Sequence, residues 1–407
     1  MDFVLRNALV IDTDPVVVRP GTDVLVSDGR IAAVGKGLTA AEVIDCTDRI
    51  VLPGFVDTHR HLWQVLVRSF CADMTLTEYL DGLLRPAQRV LTPEDLEIGT
   101  FAGGLECLAS GVTTVLDFSF SPTFEHAEAA VRGLRASGVR ALFGYGQPLD
   151  APMVPEDVTR GAGLAGGTVE VALAPMGPLY ADLADVEATW ELARSLGLWI
   201  MVHLAGQGLP VSVLHDHGLL HPDITFVHGN GLPDGELELV AQAGAGVSIA
   251  PALEARMGHG GPLVRRTRGL GIPTGLAADT VAVVAGDMFS VMRATLLSAH
   301  VTEGVHVTPA DVLRMATVEG AAAAGMADRV GSLGVGKHAD LIVLRADDIN
   351  LVGMQDPVAA VVTAAHPGNV EKVFVGGVEV QRHDVAGPVR TAAASLVSRL
   401  SASVPTR

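Results

Sequence analysis

Five side chains in this sequence are of the types that hold and use a divalent metal ion: His59, His61, His203, His228 and Asp279. His59 and His61 stand two apart in Pro53-Gly-Phe-Val-Asp57-Thr-His59-Arg-His61. In extended chain, residues i and i+2 project to the same side, so one ion can touch both imidazoles. Such a pair also occurs on solvated strand faces, and a lone histidine at a strand end is usually packed or solvated. The coincidence of five such residues at predicted strand ends carries the weight. Three imidazoles with one carboxylate suit a borderline ion such as zinc, with donors at about 2.0–2.2 Å and a position left for water. Such an ion lowers the pKa of water from about 15.7 towards 7, giving a nucleophile at neutral pH.

The elements that position these residues follow from periodicity. Apolar runs predict eight strands, ending at Asp57 to His61 and then spanning Val112–Phe118, Ala141–Tyr145, Val169–Pro175, Trp199–His203, Ile224–His228, Gly246–Ala250 and Pro273–Asp279. Between them, Leu96–Ser110, Glu125–Ser137, Asp185–Leu196, Pro233–Ala243 and Met288–His300 carry apolar residues at helical spacing. Alternating strands and helices imply a parallel sheet, eight strands close a barrel, and barrel active sites are built at the C-terminal strand ends.

The chain ends read differently. Phe3–Ile11, Asp23–Ser27, Arg30–Val34 and Ala41–Ile44 are short strands with a turn at Asp28-Gly29. His338–Leu344, Val370–Val375 and Val378–Arg382 repeat the style around Gly376-Gly377. The predicted fold is therefore α/β: a (β/α)8 TIM barrel with a small β-sandwich domain built from both ends. Gly/Pro-punctuated joins near Pro53 and Gly334 divide it into 1–52, 53–334 and 335–407.

Composition narrows the function. With 28 Lys+Arg against 46 Asp+Glu, a net charge of −18 excludes a generic binder of nucleic-acid phosphates. At 407 residues, 49% apolar and 18% charged, with 46 Gly and 22 Pro, the chain fits a compact enzyme rather than a disordered or coiled-coil one. Cys46, Cys71 and Cys107 lie too far apart for a zinc knuckle or disulfide framework. No run of about 18 apolar residues suggests a membrane span, and the acidic, alternating start does not resemble a signal peptide, so a cytoplasmic protein is expected.

The sequence resembles the amidohydrolase superfamily, in particular its aminohydrolase and chlorohydrolase branch of cytosine, guanine and triazine type, over essentially its whole length. The matching motifs are P-G-F-V-D-T-H-R-H at 53–61, V-H-L at 202–204, V-H-G at 227–229, L-A-A-D at 276–279 and G-K-H-A-D-L-I-V-L at 336–344. The resemblance implies that His59, His61, His203 and Asp279 bind one metal ion, that Asp279 also takes a proton from the attacking water, and that His228 orients or polarises the substrate. Zinc is the first expectation, with iron(II) or manganese(II) as alternatives. Two-metal relatives use a carboxylated lysine on the fourth strand, whereas the lysines here are Lys36, Lys337 and Lys372, outside or at the edge of the barrel.

One departure stands out. The deaminating members that this sequence resembles carry a glutamate three residues after the strand-five histidine; here His203-Leu-Ala-Gly206-Gln207 has glycine. A positioned acid contributes about 10²–10⁴ in rate, and amines leave poorly unprotonated. Either another acid substitutes or the reaction does not need that proton. Glu254, beyond strand seven, is the candidate substitute, or else a surface carboxylate paired with Arg256. His259 in a Gly-rich stretch would shape the pocket, and His215, His217 and His221 read as exposed. For substrate, Gln64 could read an amide edge and Trp63 stack a flat ring, unless Trp63 is core and Arg68 pairs with Asp73 or Glu78. Tyr145, Gln147 and Met176 are expected to line the pocket.

These readings converge on a mononuclear metal-dependent hydrolase that attacks a C–N bond of a small nitrogen heterocycle, by deamination or amide opening. The alternative keeps the metal for a non-hydrolytic elimination, cyclisation or isomerisation, which the missing glutamate motivates. A scaffold role fits poorly with a full ligand set. The expected partner is a small heterocyclic substrate, with no nucleic acid and no membrane, and by analogy a homo-oligomer, dimer or larger.

Overall fold

The computed structural model describes residues 2–119, 121–304, 307–381 and 383–403. Arg382, placed above at the end of the last hairpin strand, lies outside the described residues.

Eight parallel strands form one sheet: β1 (Phe55–Arg60), β2 (Val112–Phe118), β3 (Arg140–Gly146), β4 (Val169–Ala174), β5 (Trp199–Ala205), β6 (Ile224–Asn230), β7 (Gly246–Ile249) and β8 (Thr274–Leu276). Every residue of Val-Thr-Thr-Val-Leu-Asp-Phe in β2 is buried. Parallel strands covered on both faces favour such β-branched, nearly continuous runs. The ring closes between first and last strands through a parallel bridge between Arg60 and Asp279. The result is the expected (β/α)8 barrel.

Helix ends are specified locally. Thr92 and Asp95 form a reciprocal capping box at the start of the helix Pro93–Ala109. The helix Phe124–Ser137 stops at Gly138, whose φ of 79° an L side chain adopts only with strain. Sequence periodicity placed the eighth strand over 273–279, but its ladder ends at Leu276. The chain bends away so that Ala277 N–H meets Ile249 O at 2.9 Å and Asp279 N–H meets His59 O at 3.0 Å.

Both chain ends build a second, mixed sheet of eight strands, in which Leu341–Arg345 pairs antiparallel with Arg49–Pro53. One apolar cluster there joins Phe3, Val24 and Ile31 to Leu341 and Phe374. The chain passes from this sheet to the barrel at Pro53-Gly54-Phe55. A Cβ on Gly54 would come within 2.1 Å of Thr113 Oγ1, so only glycine permits this approach. Buried Arg140 on β3 joins the two sheets, with Nε 2.6 Å from Asp340 Oδ2.

Several helical segments escaped the periodicity reading, among them short helices such as Pro155–Ala162, Pro309–Met315 and Pro357–Thr363. Leu76–Val90 is helical throughout, with a π turn at Leu80–Leu84, and Ala386–Ser403 packs on Arg85–Val90 and Pro93–Ala109. No helix among the described residues is long and apolar enough to cross a membrane.

Candidate active site

The C-terminal strand ends bring the five residues together. Donor atoms of His59, His61 and Asp279 lie within 4.8 Å of one another, as do those of His59, His203 and His228, so His59 belongs to both groups. His59 sits 4.8 Å from His61 and 5.0 Å from His203 between ring centroids. Asp279 Oδ1 lies 3.8 Å from His59 Nε2 and 3.7 Å from His61 Nε2, while Oδ2 lies 3.4 Å from His228 Nε2.

Backbone geometry fixes this cluster. His61 N–H donates to Asp279 O at 2.9 Å, and Asp279 N–H donates to His59 O, so the barrel seam runs through the cluster itself. Asp279 and His228 hold φ at 62° and 71°, unusual for non-glycine residues and typical of sites where surroundings enforce strain. Asp57 braces the seam from behind, its Oδ1 accepting from Ala278 N–H at 3.3 Å and His59 N–H at 3.4 Å. Burial pushes its carboxyl up to about 6 against the opposing charge of Arg60. Arg60, fully buried, donates to Asp57, to Gly286 O at 2.5 Å and to Glu106 at 2.9 Å.

The donor set fits a divalent metal ion. His59 Nε2 is buried without a hydrogen-bond partner. His61 Nδ1 lies 2.8 Å from Phe118 O, so it carries the proton and leaves Nε2 as a lone-pair donor. Burial, reinforced by neighbouring imidazoles, holds His59 and His203 well below the usual histidine range. Burial also lowers His61, against the pull of Asp279. Neutral imidazole is the form that ligates. His228 moves the other way: burial lowers it, but the hydrogen bond to Glu254 and the charges of Asp279 and Glu254 raise it above its ordinary value.

A cavity of about 460 Å³ opens over the cluster, lined by His61, His203, His228 and Asp279 among others. Gln147, Met176 and His259 line it as well, while Trp63 backs the wall with its side chain fully buried in the core. Gln147 has its amide engaged by backbone, accepting from Met176 N–H at 3.1 Å and donating to Ala151 O at 3.4 Å.

Three expected pocket residues lie elsewhere. Tyr145 is absent from the cavity wall: along β3, Leu142 and Gly144 face the barrel interior, and the two-residue alternation turns Phe143 and Tyr145 outward, with Tyr145 against Gly161. Gln64 is fully buried behind the wall, donating to Tyr79 Oη at 2.6 Å and accepting from Thr280 Oγ1. It ties Leu76–Val90 to the residue after Asp279 instead of meeting substrate. Glu254 is neither on the cavity wall nor on the surface; it is 1% exposed, with Oε1 3.0 Å from His228 Nδ1 and 2.9 Å from Ala250 N.

Arg256 instead donates to Ala72 O, and Arg68 pairs with Glu106 at 2.9 Å rather than with Asp73 or Glu78. His215, His217 and His221 are exposed as expected. Asp117, which sequence reasoning passed over, is buried beside the cluster, accepting from Leu62 N–H at 3.1 Å. Asn230 on the cavity wall was also missed; it donates to Gly261 O at 3.0 Å and reaches Glu254 Oε2 at 3.4 Å.

Gly206 explains its own identity. A Cβ there would lie 2.4 Å from the carbonyl oxygen of Gly231, so no side chain fits without moving backbone.

The sequence pattern of the Amidohydrolase family matches residues 50–380. The chain is 31% identical to a 5-methylthioadenosine/S-adenosylhomocysteine deaminase of Symbiobacterium thermophilum over 92% of its length and 94% of that protein. It is 28% identical to a 5′-deoxyadenosine deaminase of Methanosarcina barkeri, covering 98% and 100% of the two chains. Among solved structures, an adenosine deaminase from Xanthomonas campestris with bound zinc superposes with a TM-score of 0.90 at 24% identity, covering 98% and 99% of the chains. A zinc complex of atrazine chlorohydrolase from Arthrobacter aurescens gives 0.86 at 23% identity, over 98% and 100%. The likeness to these two structures is one of fold.

Proposed function

The chain belongs to the amidohydrolase family and is a hydrolase of carbon–nitrogen bonds other than peptide bonds, and from that premise we propose a mononuclear, metal-dependent hydrolase that deaminates, or opens an amide bond of, a small nitrogen heterocycle. What supports this reading is that, at the strand ends, His59 shares one donor group with His61 and Asp279 and another with His203 and His228, while His228 faces Oδ2 of Asp279.

His59, His61, His203 and Asp279 would hold one divalent ion, zinc in the first instance. Bound there, the ion would supply Lewis acidity and a water nucleophile near neutral pH. Asp279 orients the attacking water and takes its proton at Oδ2. His228, whose Nδ1 is held by Glu254, keeps Nε2 pointed at that oxygen and at the substrate. Glu254 thus acts through His228 as a positioning residue. Met176 and His259 bound the substrate, and Gln147 stiffens the wall.

The glutamate-free strand-five end favours a second reading of the same hydrolysis, in which the displaced group leaves as an anion and no proton is needed. The named activities of the relatives lend no support to an elimination or isomerisation. The test is a panel of amino-, halo- and lactam-substituted heterocycles with zinc-loaded protein in ¹⁸O water. Label incorporation with ammonia release supports deamination, and incorporation without ammonia supports the second reading or amide opening. Turnover without incorporation overturns the hydrolytic reading.

A further inference from the structure

A chain of hydrogen bonds behind the cavity wall ends on Tyr79. Ala282 N–H, a backbone donor that cannot reverse its role, donates to Thr280 Oγ1 at 3.0 Å. The Thr280 hydroxyl donates in turn to Gln64 Oε1, and Gln64 Nε2 donates to Tyr79 Oη at 2.6 Å. An amide presents an acceptor on one side and a donor on the other, so Gln64 takes a hydrogen from one hydroxyl and gives one to the other. Thr280, which already receives from Ala282, is the hydroxyl that gives. Tyr79 is the one that receives, and its own hydrogen meets no acceptor among the described residues.

Tyr79 stands in the cavity wall with Thr280 and Asp279, and it is 5% exposed. Its neighbours on that side are aliphatic: Leu76, Leu80 and Leu84 also line the space, presented by the π turn Leu80–Leu84 that follows Tyr79 directly. A buried hydroxyl hydrogen with no acceptor is costly, and aliphatic side chains cannot supply one. The occupant of the cavity can. Burial, reinforced by the charge of Asp279, holds the phenol well above its ordinary range, so the group stays neutral and keeps its hydrogen to donate.

We propose that Tyr79 is a specificity-determining residue whose hydroxyl, aimed by the hydrogen bond it receives from Gln64, donates to a ring nitrogen of the bound heterocycle. The inference rests on the hydrolase reading above, whose heterocycle supplies that acceptor. A ring with a nitrogen lone pair turned towards Leu76–Val90 satisfies the hydroxyl. A ring with C–H at the same place sets hydrogen against hydrogen and is rejected.

The test uses 2-aminopyrimidine and aniline, which share an outline and differ in their ring nitrogens. Each is titrated into zinc-loaded protein labelled with ¹³C at the phenol carbon of its three tyrosines. Binding is read at Tyr180, which also lines the cavity and remains in the variant. The parent should prefer 2-aminopyrimidine, and Tyr79→Phe should cut that preference about fivefold while leaving aniline affinity unchanged. In the parent, the Tyr79 signal should move further downfield with 2-aminopyrimidine than with aniline. A packing role would weaken both probes alike. An equal loss on both probes, an unchanged preference, a Tyr79 signal that answers both probes identically, or a parent that binds neither overturns the proposal. The amino-, halo- and lactam-substituted panel is assayed alongside. A Tyr79-dependent preference with no hydrolysis of any member leaves the donor standing and removes the hydrolase reading, whereas hydrolysis without that preference does the reverse.

Discussion

Glu254 Oε1 lies 3.0 Å from His228 Nδ1, hidden from the cavity, while His228 Nε2 faces Asp279 Oδ2 at 3.4 Å. A buried carboxylate off the cavity wall thus holds an imidazole that is on it.

Glu254→Gln keeps the shape and removes the charge. Outer partners of metal-site histidines typically contribute about 10–100-fold. The variant should lose about that much kcat with little change in KM and an unchanged metal content. Glu254→Ala should lose more and also shift the pH profile. Steady-state kinetics decide the matter, since parent-like kcat in both variants would leave Glu254 with a packing role only.

Gly206 cannot be restored to glutamate in the present backbone, because a Cβ would meet Gly231 O at 2.4 Å. Gly206→Ala should lower stability by about 1–3 kcal/mol, and Gly206→Glu should not accelerate ammonia release. Denaturant midpoints and rates check this. A stable, faster Gly206→Glu enzyme would show that the strand-five end is roomier than described.

Asp117 predicts a pH effect. Burial raises its carboxyl to about 7, against the Leu62 N–H bond and the Arg60 charge. The folded chain therefore keeps a proton that the unfolded chain releases near its ordinary value of 3.8. The associated stability is complete below that lower value and is lost as pH rises through the folded one. Asp117→Asn should consequently gain on the parent between pH 4 and 7 in chemical denaturation. A pH-independent difference would contradict the assignment.

The Arg140–Asp340 pair is buried on both sides and also receives Gly376 N–H at 2.7 Å. Removing one partner strands a charge, so Arg140→Ala or Asp340→Ala should cost about 3–5 kcal/mol. Thermal or urea unfolding would reveal a loss below about 1 kcal/mol if solvent screens the pair.

The barrel was legible because its strands are buried on both faces, which leaves uninterrupted apolar runs such as 112–118. Spacing in His59-Arg-His61 and strand-end placement of His203, His228 and Asp279 made the cluster legible as well. Tyr145 was misplaced although the two-residue alternation along its strand was available to turn it outward. Gln64 and Glu254 needed tertiary information: both are polar residues near the site whose partners, Thr280 and His228, lie far away in sequence. The helices over 76–90 and 386–403 carry small, polar or proline residues that blur the apolar stripe, and their burial depends on surfaces contributed by other segments. Asp57 could have been found, since it shares a strand side with His59.

The most direct test of the central claim is metal stoichiometry with donor identification on zinc-reconstituted protein, by elemental analysis and X-ray absorption. The account predicts one tightly held zinc per chain with imidazole and carboxylate donors at about 2.0–2.2 Å, and loss of that zinc in His59→Ala and Asp279→Ala variants that remain folded. A chain that holds no stoichiometric zinc, or one whose zinc survives both substitutions, would contradict it.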